Sequence, residues 1–286
     1  MIPETKPVSA GLHLVSTPIG TARDITLRAL DVLAGADIVA AEDTRTARRL
    51  MEIHGVAVKG RRFVAYHDHS APSVRDDLVS RMSEGQSVAY VSEAGTPLVA
   101  DPGYALARSA IAAEVPVHAA PGASAVLAAL AVAGLPTDRF AFIGFLSSQA
   151  TQRDREITEL RDLPMTLVIY ESPHRVAATV ARMAEILGPD RPAAICRELT
   201  KKFEEVIRGP IGTLATQLAE GQTRGEYVIV LGKGETEVTG EDDLRAALKD
   251  ALRTMRVKDA ANMVAGAMGV PRRDVYQMAL ELSKKD

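Results

Sequence analysis

Between residue 12 and about residue 232 the chain alternates two hydrophobic patterns. Short runs rich in Val, Ile and Ala predict strands at 12–17, 37–41, 62–66, 87–92 and 115–120, then at 140–145, 165–170, 193–197, 204–208 and 226–231. Between them, apolar residues recur three and four apart, as in Leu27, Leu30 and Leu33, the spacing of one helix face. Strand–helix alternation implies crossover connections, so the first five strands predict a mostly parallel sheet. The Ala-rich segment 122–134 closes on Gly134-Leu135-Pro136, which predicts a helix with a sharp stop. In the second set the last two strands flank one short helix at 211–219, so a mixed sheet is expected.

After Gly232 the pattern changes. A polar, glycine-containing linker at 233–240 leads into Leu244, Leu248, Ala251, Leu252 and Met255, which share one helical face, and no strand pattern returns. Ala265, Gly269 and Val275, set among Val264, Met268, Val270 and Met278, predict a helix, a glycine turn and a second helix, with Pro271 at the first helical position. The expected organisation is an α/β domain over 1–122, a second over 123–236 and an all-helical tail over 241–286.

Composition narrows this in three ways. With 286 residues, 47% hydrophobic and 25% charged, the chain folds without staples, and the single cysteine, Cys196, excludes an internal disulfide framework. The start is polar, and the most apolar stretch, 119–135, is broken by glycines and a proline, so a cytoplasmic protein with no membrane association is expected. A net charge of -3 excludes a wholly basic coat, and an aromatic content of 4% without Trp argues against a single-strand binder built on stacking platforms. Basic residues instead gather locally. Arg45, Arg48, Arg49, Arg61 and Arg62 form one candidate RNA contact, and Arg272 and Arg273 in the tail another.

No GxGxxG follows the first strand, and neither a P-loop nor HExxH occurs. Small-residue turns stand at strand ends instead: Ser16-Thr17-Pro18-Ile19-Gly20, Ser92-Glu93-Ala94-Gly95-Thr96-Pro97, Pro121-Gly122-Ala123-Ser124 and Tyr170-Glu171-Ser172-Pro173. In open α/β sheets ligands bind beyond the carboxyl ends of the strands, where glycines admit a ligand to the backbone. Each turn alone is also explained as a tight turn. Charged residues at strand ends, Glu42, Glu171, His174 and Lys201, are candidate catalytic groups, and their order is left open. His67-Asp68-His69 is too common a pattern to predict a metal, and none is expected.

The motifs TPIG, AEDTR, SEAGTP, DPGY, PGASA, GLPTDRF, GF, YESPHR, RELTK and GEYVIV follow one another between residues 17 and 230, within a resemblance that covers residues 12 to about 280. In this the chain resembles the ribosomal RNA small-subunit methyltransferase I family of the tetrapyrrole methylase superfamily. The resemblance implies two α/β domains of the class III methyltransferase type with S-adenosyl-L-methionine in the cleft between them, a homodimer, and 2′-O-methylation of a cytidine ribose near the decoding site of small-subunit (16S) rRNA. By motif, cofactor contacts are expected from Pro18, Ser92, Glu93, Ala94, Gly95, Thr96, Pro97, Asp101, Ser124, Tyr170, Arg197, Glu198 and Leu199. The chain departs from the family at Glu93, where Asp is usual, at Thr21, where Asn is usual, and at Ser147 and Ala123, where proline is common. Two other functions compete: a uroporphyrinogen or precorrin C-methyltransferase on the same fold, and a nucleic-acid-binding regulator that uses only the tail helices.

Overall fold

The computed structural model describes residues 6–221, 223–234, 241–268 and 270–283, so most of the linker and Gly269 of the glycine turn lie outside the described residues. The first half runs β1 (Gly11–Val15), α1 (Leu27–Gly35), β2 (Ile38–Ala41), α2 (Thr44–Ile53), β3 (Arg62–Ala65), α3 (Pro72–Ser83), β4 (Ser87–Val91), α4 (Tyr104–Ala112) and β5 (Val117–Ala120). Its five strands are all parallel, in the order β3-β2-β4-β1-β5. β2 and β4 are buried at every position, as expected of strands covered on both faces. Val15, Val39 and Val91 pack under Leu30, Leu33 and Met51 of α1 and α2. Leu12, Ile38 and Val88 pack on the other face under Leu78, Met82 and Leu106 of α3 and α4.

The second half runs α5 (Ala125–Ala133), β6 (Phe140–Phe145), α6 (Ala150–Glu159), β7 (Thr166–Glu171), α7 (Val176–Leu187), β8 (Pro192–Arg197), β9 (Glu205–Pro210), α8 (Ile211–Glu220) and β10 (Tyr227–Leu231). The sheet order is β6-β7-β10-β8-β9, with β6 parallel to β7 and the remaining pairs antiparallel. α5 lays Val126, Ala129, Leu130 and Ala133 on Val168, Ala194 and Val228 of this sheet. Ile19, from the turn after β1, is buried in the same cluster, so one core ties the halves together. Arg191 is buried with its guanidinium donating to the carbonyls of Arg161 at 2.9 Å and Gly232 at 3.0 Å, which fastens the end of the α6 segment to the end of β10.

Both halves form one compact unit over 1–161 and 165–232, and residues 162–164 with 233–286 form another. The second unit holds α9 (Glu241–Leu252), α10 (Val257–Met268) and α11 (Arg272–Ser283) around Leu244, Leu248, Ala261, Val264, Val275 and Ala279. Two sequence expectations need correction here. Met255 lies beyond α9 and is exposed, because the helix ends at Leu252, and Pro271 precedes α11 rather than opening it.

A clasp at the amino edge of the first sheet yields a test. The Asp37 carboxylate accepts the Ser87 amide and hydroxyl, both at 2.7 Å, and the Asp37 amide donates to the Ser87 hydroxyl at 3.0 Å. The Ser87 hydroxyl and amide hold the Asp37 carboxyl below its ordinary range. A carboxyl depressed by folding stabilises the native state above its unfolded pKa, and that contribution disappears as pH falls through the folded value. Asp37→Ala is expected to cost about 1 kcal/mol at neutral pH, a typical hydrogen-bond loss at an exposed site, and almost nothing in acid. Urea unfolding of both proteins across the acid range reads the difference.

Candidate functional site

The carboxyl ends of β1, β4, β5, β6 and β7 and the amino end of β10 converge on one cleft of about 360 Å³. β10 contributes its amino end because it runs antiparallel to β7, with Tyr227 opposite Glu171. Ile19, Val99 and Val228 give the cleft an apolar wall, Ala94, Gly95 and Thr96 give it a backbone-rich floor, and Asp101, Tyr170 and Glu226 supply polar groups. The floor is fixed from below: the Thr17 amide donates to the Gly95 carbonyl at 2.9 Å and the Gly95 amide returns to Thr17 at 3.1 Å. Gly95 holds this bridge at φ +79°, a left-handed conformation that a side chain opposes, and a Cβ would also press on Ile19 at 3.3 Å. The Thr17 hydroxyl is buried beside the bridge without a hydrogen-bond partner in the protein.

Charge in and beside the cleft is negative. Burial pushes Asp101 up to about 6, against the pull of a hydrogen bond from Ser92, and the neighbouring Glu42 and Glu93 carboxylates add to the rise. Burial, and then the charge of Glu93, raise Glu42 as well. Tyr170 is raised to about 12 by burial and then by the charge of Asp101, against the opposite pull of the Val126 amide at the start of α5. Among the described residues, no group of three or more His, Cys, Asp and Glu side chains could hold one metal ion.

Many of the expected cofactor residues come together here. Ala94, Gly95, Thr96, Asp101, Ser124 and Tyr170 line the cleft. Pro18, Ser92, Glu93 and Pro97 belong to the turns that carry those linings without lining it themselves. Arg197, Glu198 and Leu199 do not reach it. Leu199 is buried in the core beneath α5, and Arg197 pairs with Glu205 at 3.2 Å beside a separate small hollow. Glu198 accepts the Lys201 ammonium at 2.9 Å and the Glu226 amide at 3.0 Å. The residues that reach the cleft in their place are Glu226, Tyr227 and Val228, together with Phe145. GEYVIV and GF were visible in the sequence, but nothing local says that these strand ends meet the turn after β4.

The expected catalytic groups are largely committed elsewhere. Glu171 is buried, and its carboxylate accepts the Ser172 amide at 2.8 Å and the Thr179 hydroxyl at 2.7 Å and pairs with Arg175 at 3.2 Å. Arg175 in turn donates to the carbonyls of Leu146 at 2.8 Å and Ser147 at 3.0 Å, so this pair braces the ends of β6 and β7. Burial works against the Lys201 charge, but hydrogen bonds to Glu226 and Glu198 outweigh it and lift Lys201 above the ordinary lysine range. It is a fixed cation and no base. Glu42 is half-buried near Glu93 and does not line the cleft, and His174 is exposed next to the cleft-lining Pro173.

The first basic cluster is partly engaged within the fold. Arg61 donates to the carbonyls of Leu33 at 2.9 Å and Ala36 at 3.2 Å and also to that of Ala34, capping the end of α1, so its expected RNA contact is corrected to a structural role. Arg48 lies 4.3 Å over the Phe63 ring, Arg45 forks onto Asp43 at 2.7 Å, and Arg62 pairs with Asp77 at 3.3 Å. Arg49 is exposed with no ion pair among the described residues. In the helical unit, Arg272 and Arg273 remain open and border a shallow hollow of about 650 Å³ with Lys258 and Tyr276.

Two α/β sheets that meet at a cleft of strand ends define the tetrapyrrole methylase class. The family profile for Tetrapyrrole (Corrin/Porphyrin) Methylases matches residues 11–215, and one described as the RsmI C-terminal HTH domain matches 238–283. Proteins named Ribosomal RNA small subunit methyltransferase I are similar almost end to end. The one from Mesorhizobium japonicum is 44% identical over 97% of this chain and 94% of its own, and the one from Escherichia coli O157:H7 is 39% identical over 94% of each. Among solved structures, a uroporphyrin-III C-methyltransferase from Thermus thermophilus complexed with S-adenyl homocysteine superposes with a TM-score of 0.52 at 21% identity, over 78% of this chain and 97% of that one. This chain belongs to the ribosomal RNA small subunit methyltransferase I family of the tetrapyrrole methylases.

Two outcomes follow from the site. Glu171→Gln is expected to lose about 3 kcal/mol of stability: with its oxygen kept toward Thr179 and Arg175 its NH2 meets the Ser172 amide donor to donor, and Arg175 loses its counter-charge. A fully stable variant with only its turnover lost would return Glu171 to the role of base. Asp101 carries the opposite sign: folding raises its pKa, so its ionised form costs stability as pH rises toward 6 and above. Asp101→Asn is therefore expected to raise the melting temperature of the ligand-free protein at neutral pH and to leave it unchanged in acid. Thermal scans at the two pH values check this.

Proposed function

We propose that this chain transfers the methyl group of S-adenosylmethionine to the 2′-hydroxyl of a cytidine ribose in small-subunit 16S rRNA, near the decoding site. The observation that carries this reading is similarity over both units, α/β and helical, to proteins named ribosomal RNA small subunit methyltransferase I. The likeness to the uroporphyrin-III enzyme supports the fold alone, which leaves the tetrapyrrole alternative without a residue of its own. The acting form is a homodimer in the cytoplasm on this reading, and no described helix is long and apolar enough to cross a membrane.

The cleft suits such a cofactor. S-adenosylmethionine supplies a methyl group activated by a positively charged sulfur. Asp101 favours a cationic ligand, and Ile19, Val99 and Val228 offer apolar surface to a ring. The amides of Ala94 and Thr96 flank Gly95 on that floor, whereas Gly95's own amide is consumed by Thr17. Chemistry on a ribose hydroxyl needs the oxygen aligned and its proton removed. Glu171 and Lys201 are committed, so Asp101, a cleft-lining carboxyl with a pKa of about 6, is the proton acceptor the site offers. Arg272, Arg273 and Lys258 on the helical unit and Arg49 on α2 would meet phosphates and position the RNA.

Labelled S-adenosylmethionine, incubated with small subunits from cells that lack the enzyme, is expected to yield 2′-O-methylcytidine on nucleoside analysis. The rate should rise as pH passes through about 6, and Asp101→Asn should flatten that rise. Label on a base, or none in rRNA, would contradict the reading.

A further inference from the structure

We infer that Phe145 is a stacking platform for a nucleobase at the mouth of the cleft, and that the base it takes is the one attached to the acceptor ribose. This rests on the function proposed above. Its structural part begins with the register of β6. Phe142 pairs with Val168 and Gly144 with Ile169, so Ile143 is an extra residue, a β-bulge. Side chains three apart on a regular strand face opposite sides of the sheet. The bulge changes that parity, and Gly144 makes it possible by adopting φ +79°. Phe142 and Phe145 consequently both reach Tyr170, edge-on, at 4.7 and 5.6 Å. Tyr170 is itself packed against the core beneath α5, so the Phe145 ring rests on a held neighbour.

The ring is nonetheless 58% exposed. Of the exposed Phe and Tyr residues among those described, Phe145 alone borders the cleft. A strand irregularity that turns a braced aromatic ring toward open space beside a binding cleft provides a flat apolar face for a flat ligand. Two nucleobases could take it: the adenine of the cofactor and the base of the target nucleotide. The cofactor's ring has buried apolar wall deeper in the cleft, at Ile19 and Val228. The acceptor ribose must come in from solvent, so its base arrives at the rim, where Phe145 stands. Stacking on an aromatic ring then replaces the neighbours that the base loses when it leaves its own strand.

The chain has no Trp, so Phe145→Trp places a single fluorescent reporter on the platform. Small subunits are expected to quench it, and S-adenosylmethionine alone is not. Quenching by the cofactor alone would assign the ring to adenine and overturn the inference, as would the absence of quenching by either. The kinetic arm uses Phe145→Ala, Phe145→Leu and Phe145→Tyr. Ala and Leu are expected to lower kcat/KM for small subunits about tenfold, with S-adenosylmethionine affinity within twofold of wild type, and Tyr is expected to restore the rate. Full activity in Phe145→Leu would mean that only apolar bulk matters, and would also overturn it. If the wild type transfers no methyl to rRNA, the functional reading fails by itself, and the fluorescence arm still decides whether a base stacks there.

Discussion

Two backbone hydrogen bonds between Thr17 and Gly95 set the geometry on which the site depends. β1 and β4 are neighbours in the first sheet, and the bridge carries their pairing beyond the sheet edge into the two turns that follow. With the turns locked together, Ile19 is pressed into the core beneath α5, and Ala94 and Thr96 present their backbone to the cleft. The cleft is therefore built from strand ends together with the segment between β4 and α4, which supplies Val99, Ala100 and Asp101. The same bridge removes Gly95 as a donor, so the glycine shapes the floor while its neighbours remain available to touch what lies on it.

Electrostatics divide between the two units. Asp101 lines the cleft, with Glu42 and Glu93 near enough to raise it, which suits a cationic small molecule and opposes a phosphate. The positive charge open to a polyanion sits on α11 and α10, and on α2 at Arg49. Several arginines do structural work instead. Arg61 ends α1, Arg48 covers Phe63, and Arg191 holds α6 and β10 together. A guanidinium is equally suited to cap carbonyls or to meet a phosphate, and only the folded chain shows the first use at Arg61.

The architecture was legible because its strands are buried on both faces and appear as unbroken apolar runs, as in β4 and β10. The turns at the ends of β1, β4, β5 and β7 were legible for a local reason: small residues follow each strand. What was not legible depends on contacts distant in sequence. The RELTK segment has charged residues at a strand end, yet Leu199 turns into the core and Lys201 binds Glu226, so the cleft receives the amino end of β10 instead. In FAFIGF the step of three from Phe142 to Phe145 breaks the alternation, but that both rings nonetheless share a face is known only from the register with β7.

Amide hydrogen exchange with and without S-adenosylmethionine tests the central claim, that the ligand lies on the strand ends of both sheets at this cleft. Protection is expected at 94–96 and 226–228 together, on segments far apart in sequence that only the cleft unites, with little change at 198–204. Protection concentrated at 198–204, with none at 94–96, would contradict the account.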